Sequence, residues 1–303
     1  MIERFEHKKV TWFDVVHPTV EEVRELFRET GLPAEFGNDL TSMTPRSESK
    51  ALKNCLKLTL DFPIVKRIDI NHPHEVKFLV TKEKLITVRF EDIQAVYKFG
   101  KEFEVQSLLK TNDNGISGPR YFLALLNHLY DGLGAKLDYL ESKTQAVEED
   151  IFDNSEKEVL FEISKINRRL ITFRHTLGTH ETVLEDLKTD IELAFGKEFV
   201  PAVDELISIY KHLMQRVLGL SNTVENLRNT NTALLTAKQN EVMKIFTIMA
   251  FITFPLSLFT SLFGMNTENT PLVGSEHGFW YIILIMTFIS LCFFAYFRYK
   301  KWI

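Results

Sequence analysis

The sequence predicts an α/β domain followed by long helices and two C-terminal transmembrane helices, and three observations carry that prediction. Residues 245–263 and 279–297 contain no charged side chain. At about 1.5 Å per residue, roughly 19 helical residues cross a bilayer core of about 30 Å. The first ~115 residues instead show short runs in which apolar and polar residues alternate, and from 119 to 244 the pattern is almost wholly helical. A 45% hydrophobic content with 25% charged residues suits a globular body joined to a small membrane part.

Taken in order, Thr19 and Glu22 form a capping box after Pro18, and Gly31-Leu32-Pro33 stops the helix they open. Leu56, Leu58, Leu60 and Phe62 alternate with polar residues, as do Ile86, Val88 and Phe90, which predicts two half-buried strands with polar outer faces. Residues 111–118, rich in Asn, Ser and Gly, mark a boundary. One helix is expected from Pro119 to about Phe152, a turn at 153–155, and a helix returning to about Ala194 with Ser155 and Glu158 at its start. Gly196 to Pro201 breaks the pattern, and from Ala202 to Phe254 no proline interrupts it. Such length without caps points to a coiled coil or a membrane bundle. The expected division is an α/β domain over 1–118, a helical hairpin over 119–200 and a long helix over 201–263 that includes the first span. An external loop over 264–277 follows, then a second span with a basic tail over 278–303.

The connector 264–277 holds Glu268 and Glu276 and no Lys or Arg, whereas Lys238, Lys244, Arg298, Lys300 and Lys301 flank the spans on their other sides. The positive-inside rule therefore places both termini in the cytoplasm and the loop outside. The start, 1–10, is too charged for the apolar core of a signal peptide. A net charge of -5 argues against nucleic acid as a partner. Cys55 and Cys292 fall in a strand and in the second span, where small apolar packing is expected and a disulfide is not.

Along the long helix, positions alternately four and three apart read Asn222, Asn226, Asn229, Ala233, Thr236, Asn240, Met243, Thr247, Ala250, Phe254, Ser257, Ser261 and Gly264. At a 3.5-residue period they share one face. Two readings fit. The stripe lines a water-bearing pore made of one helix from each of several identical subunits, or its small residues let helices pack closely in lipid. The run of Asn favours the pore. Met243 and Phe254 would then be apolar constrictions, and Pro255 a kink.

Asn240-Glu241-Val242-Met243-Lys244, then Pro255, then Phe263-Gly264-Met265-Asn266, then a second span ending Lys300-Lys301-Trp302-Ile303, resembles the CorA family of magnesium and cobalt transporters. Trp12-Phe13-Asp14 and His17-Pro18-Thr19 fit more loosely. The resemblance implies a homopentamer with a funnel-shaped cytoplasmic domain in the cell (inner) membrane. It also implies a central pore lined by the first span, and an outer loop whose Asn266 selects a hydrated divalent cation. Asp204 and Glu205 would lie where regulatory cations bridge subunits. The chain departs from the family in two places. Thr267 follows the triplet where an aromatic residue is usual, and Asn229 stands where magnesium-transporting members often carry Asp. The zinc-transporting branch shares the triplet.

The chemistry agrees with such a role. The membrane part of the stripe offers no carboxylate, His or thiolate, the ligands a bare transition metal wants. Mg²⁺ sheds its waters reluctantly and can be held through them by amide and carbonyl oxygens. Asn266 is such an acceptor, Gly264 allows close backbone approach, and Glu268 would concentrate cations at the mouth. The acidic residues between Glu141 and Glu158 read first as a solvated hairpin tip and second as a loose cation-collecting surface near the inner mouth, and His72-Pro73-His74 as a polar loop without a third metal ligand. With no phosphate loop and no nucleophile–base arrangement, an enzyme or an ATP-driven pump is not expected, and no cofactor beyond the transported cation. Channel-like transport of Mg²⁺, with Co²⁺ and Ni²⁺, is the first reading. A Zn²⁺ transporter of the same fold, with or without proton coupling, is the second. A membrane-anchored coiled-coil scaffold or sensor is the third.

Overall fold

A computed structural model describes residues 2–37, 39–44, 46–52, 54–63, 75–108, 116–151, 156–265 and 277–302. It divides into two compact units, Met1–Arg228 and Asn229–Ile303.

The first unit is built on a six-stranded sheet in the order β1-β2-β6-β5-β4-β3. The strands are β1 (Ile2–His7), β2 (Val10–Val16), β3 (Glu48–Leu52), β4 (Cys55–Asp61), β5 (Glu75–Thr81) and β6 (Lys84–Arg89). Only β2 and β6 pair in parallel. Helix α1 (Val20–Thr30) opens on the expected capping box: Thr19 Oγ1 accepts from Glu22 N–H, and Glu22 accepts from Thr19 N–H. It stops at Gly31, whose φ of 67° is the left-handed conformation glycine adopts freely.

One face of the sheet, through Phe13, Val15, Leu79, Ile86 and Val88, packs on Val23 and Leu26 of α1. The opposite face meets α2 (Gln94–Leu108), α3 (Gly118–Asp150) and α5 (His180–Phe195). Trp12 is fully buried there, stacked on Phe5 and edge-on to Phe99 and Phe103 of α2.

The strands at 55–61 and 84–89 exist, but their polar faces are not solvated. Lys57 and Thr59 on the first and Thr87 and Arg89 on the second are buried, as are Glu75 and Lys77 of β5 between them. A buried lysine must be paired or hydrogen-bonded. Lys77 meets the Glu75 carboxylate at 3.0 Å and the carbonyls of Asp39 and Ser42, and Lys57 meets Glu48 at 2.9 Å. The segment around Asp39–Thr44 thus covers a polar face that alternation alone assigns to water.

The returning helix differs from expectation as well. It is two helices, α4 (Glu156–Leu177) and α5, parted at Gly178-Thr179. The break lets His180, at the start of α5, enter the core. Its Nε2 lies 2.7 Å from the Asp61 carbonyl, which can only accept, so Nε2 carries the proton and Nδ1 accepts from Tyr130 Oη at 2.8 Å. Burial pushes the His180 pKa down to about 4. Ser155 and the turn at 153–155 lie outside the described residues, as does His72-Pro73-His74.

Gly118 fixes how α3 leaves the sheet. Its N–H donates to Lys82 O at 2.8 Å, and a Cβ there would sit 2.0 Å from Thr81 O. Only glycine permits that approach.

The second unit holds the C-terminal part of α6 (Val200–Phe263) and α7 (Gly278–Tyr299). Both helices are long and apolar enough to cross a membrane. Cys55 and Cys292 are free thiols. Burial raises the Cys55 thiol to about 12, which makes it inert packing.

Candidate pore-lining helix and outer loop

Helix α6 carries every proposed pore residue. Gly196, at φ 108°, turns the chain out of α5 through a short 3₁₀ turn, and Pro201 sits in the first turn of α6, where its missing N–H costs nothing. A heptad seam then runs through Val203, Leu206, Tyr210, Leu213, Val217, Leu220, Val224 and Leu227, all buried, and Asn231 continues its register. Arg216 clamps this part of α6 to α3 through Asp138 at 2.5 Å and Glu141 at 2.9 Å.

The polar stripe lies two residues out of register with that seam. Two residues turn a helix by about 200°, so the stripe occupies the opposite side. Asn222, Asn226, Asn229, Thr236, Asn240, Met243, Phe254, Ser257 and Ser261 are exposed, and Thr247 and Ala250 half-buried. Exposure sets the stripe apart from the seam only over residues 222–229, since beyond Asn231 nearly every face of α6 is exposed.

Local hydrogen bonding sets what the stripe offers. Thr236 and Thr247 donate their hydroxyls to the carbonyls one turn back, Thr232 O at 2.9 Å and Met243 O at 2.8 Å. The proton is thereby used, and each oxygen is left as an acceptor. Water bound to a cation is a donor, so acceptors are what a hydrated ion needs. Met243, 57% exposed, and Phe254, 75% exposed, are the large apolar members of the stripe, about 16 Å apart along the axis. Pro255 lies inside the helix next to Phe254.

Gly264 ends α6. Its N–H donates to Thr260 O at 2.9 Å, and a Cβ at this position would stand 2.9 Å from that same oxygen. The glycine is needed for close approach, since Gly264 is not among the positive-φ residues. Met265 follows, exposed. Asn266 and Glu268 lie outside the described residues.

The structure gives Asp204 a partner that sequence does not reveal. Lys188 of α5 pairs with it at 2.6 Å, and the hydrogen bond to Asp204 raises the lysine's pKa. Glu205 is exposed beside it. Among the described residues no three His, Cys, Asp or Glu side chains gather in a metal-binding group. Lys188 lies one helix away, so no local spacing pointed to it.

Comparison with known proteins decides the family. The family model described as CorA-like Mg2+ transporter protein matches residues 7–301. The chain belongs to that family. Its members are ion transporters and not enzymes. A cobalt/magnesium transport protein CorA from Thermotoga maritima is 27% identical over 97% of this chain and 83% of its own length. The complete structure of the CorA magnesium transporter from Methanocaldococcus jannaschii covers 99% of this chain and 93% of that one, with a TM-score of 0.84 at 21% identity. The cytoplasmic domain of ZntB from Vibrio parahaemolyticus covers 76% of this chain and 89% of that one, with a TM-score of 0.60 at 12% identity. At these identities the matches show the fold alone: the full-length structure shares the α/β domain, the long helices and the two C-terminal apolar helices, and the ZntB domain matches over the smaller share that it covers.

Proposed function

We propose that five copies of the chain surround a central pore lined by the stripe of α6, and that the pore conducts hydrated divalent cations, Mg²⁺ first, with Co²⁺ and Ni²⁺. The stripe supports this most: small and polar residues recur on one face of α6 from Asn222 to Ser261, and its first turns stand opposite a filled heptad seam that ends at Asn231. Membership in the CorA-like family and the resemblance to a relative named for cobalt and magnesium transport support the cargo. Asn229, Thr236, Asn240, Thr247, Ser257 and Ser261 supply acceptors for metal-bound water. Met243 and Phe254 narrow the path as apolar rings that close by dewetting. In this reading Asn266 holds the hydrated ion at the outer mouth, Gly264 and Met265 set the loop, and Glu268 draws cations in. Both termini and the first unit then face the cytoplasm, in keeping with the basic flanks of the spans. The five segments that meet at 118, 200, 263 and 277 are the working divisions of this design. A regulatory cation at Asp204 and Glu205 has to displace Lys188.

Ion uptake into vesicles reconstituted with the full chain tests the proposal. With an inside-negative potential and a pH dye present, Mg²⁺, Co²⁺ and Ni²⁺ should enter and Zn²⁺ should not move protons. Zn²⁺-selective uptake coupled to a pH change would replace the magnesium reading with the zinc one.

A further inference from the structure

The end of α7 is a built feature that lies outside the polar stripe of α6. After the helix cap at Lys300, Lys301 takes a φ of 58°, a left-handed conformation rare for a side-chain-bearing residue. Its N–H donates to Arg298 O at 3.1 Å, and Trp302 N–H donates to Phe297 O at 2.9 Å. These two bonds form a Schellman motif, and they fold Trp302 back so that its ring stacks on Phe297, with centroids 5.8 Å apart.

The folded-back ring forms part of an apolar groove of about 550 Å³, lined by Phe251 of the first span, by Phe288, Cys292, Phe293 and Phe297 of α7, and by Trp302. Phe251 meets Phe297 edge-on at 6.2 Å. No charged residue lines it. Lys244 reaches across from the first span, its Nζ 3.5 Å from Lys301 O, and Arg298, Lys300 and Lys301 are exposed around the same end. The nearest acid in sequence is Glu241, one turn before Lys244.

An apolar slot within the spans, with Lys244, Arg298, Lys300 and Lys301 gathered at the end of α7 that carries Trp302, matches one chemical class: a lipid with an alkyl chain and an anionic headgroup. Basic pockets between membrane helices recognise such headgroups. The geometry points to a specific anionic-phospholipid site here, in the cytoplasmic leaflet under the orientation proposed above. The acyl chain lies along Phe251, Phe288 and Phe293, and the phosphate sits against Lys300 and Lys301. Trp302, amphipathic and pinned by the Schellman turn, marks the level where chain gives way to headgroup.

The test uses the full chain in mild detergent, read by native mass spectrometry while phosphatidylglycerol or phosphatidylcholine with identical acyl chains is added. Retention of phosphatidylglycerol should begin at a roughly tenfold lower lipid concentration. In a Lys300→Gln/Lys301→Gln variant that preference should vanish, and in Trp302→Ala retention of both lipids should fall. Cys292 in the groove gives a second readout, since phosphatidylglycerol should slow its alkylation and phosphatidylcholine at the same concentration should not. Equal retention of the two lipids, or a preference untouched by the lysine substitutions, overturns the site. So does a Cys292 that resists alkylation without lipid, which would mean that a second copy covers the groove. Lipid retention needs no ion flux, so a chain that keeps phosphatidylglycerol but fails to transport separates this inference from the proposed function.

Discussion

Gly118→Ala isolates the contact that sets α3, and with it the helical frame, on the sheet. The new methyl carbon would lie 2.0 Å from Thr81 O and 3.1 Å from Lys84 O. Carbon and oxygen rest at about 3.3 Å or more, so the helix start must retreat by about 1.3 Å. That retreat stretches the 2.8 Å bond from Gly118 N–H to Lys82 O. Overpacking against backbone costs about 1–3 kcal/mol, and the weakened buried hydrogen bond a further 1–3 kcal/mol or so. The better helix propensity of alanine returns at most about 1 kcal/mol. Midpoints give a net loss of about 3 kcal/mol, or a fall of about 6–12 °C in the melting temperature of a unit this size. The matched control is Gly219→Ala, an exposed position in α6 where a Cβ meets nothing within 4 Å. The same substitution there should stabilise by up to about 1 kcal/mol. Thermal unfolding of both full-length variants, followed by near-ultraviolet circular dichroism, gives the comparison. A Gly118→Ala protein as stable as wild type, or two variants equally destabilised, would refute the reasoning.

Phe254→Ala should widen the apolar ring and raise resting Mg²⁺ leak in vesicles; unchanged flux from an assembled variant would assign Phe254 to packing. The buried His180 binds its proton more weakly in the fold than in the unfolded chain, so about 3 kcal/mol of stability present above pH 6.5 is lost as pH falls towards 4. Asp61 runs the other way: burial and the opposing Glu75 raise its pKa from 3.8 to about 6, so acidification between those values favours the fold, and Asp61→Asn should make the acid loss steeper in a pH series of unfolding curves.

What the sequence disclosed depended on how local its cause was. The capping box at Thr19 and Glu22, the left-handed stop at Gly31, and the two apolar segments are dictated by neighbours within a turn or two, and each is where periodicity put it. Lys57, Thr59 and Lys77 misled because alternation reports which face differs, not what covers it. Their cover comes from residues 39–44 and from ion pairs with Glu48 and Glu75, reached only once the sheet is assembled. The break before His180 escaped for the same reason, since its partners Asp61 and Tyr130 lie far away in sequence. The polar stripe was legible as a 3.5-residue pattern, and the structure adds a buried seam opposite its first turns, as far as Asn231. The Lys188–Asp204 pair and the aromatic groove beside Trp302 were not legible, since each joins elements distant in sequence.

The central claim is that the stripe and the loop beyond Gly264 form a path for hydrated Mg²⁺ with Asn266 as its outer acceptor. Initial Mg²⁺ uptake into vesicles by wild type and Asn266→Ala, with oligomeric state and thermal melt measured on the same preparations, tests it most directly. Removing the amide takes away the acceptor without adding bulk, so uptake should fall severely while assembly and melting temperature hold. Near-normal uptake by an assembled Asn266→Ala protein would contradict the account.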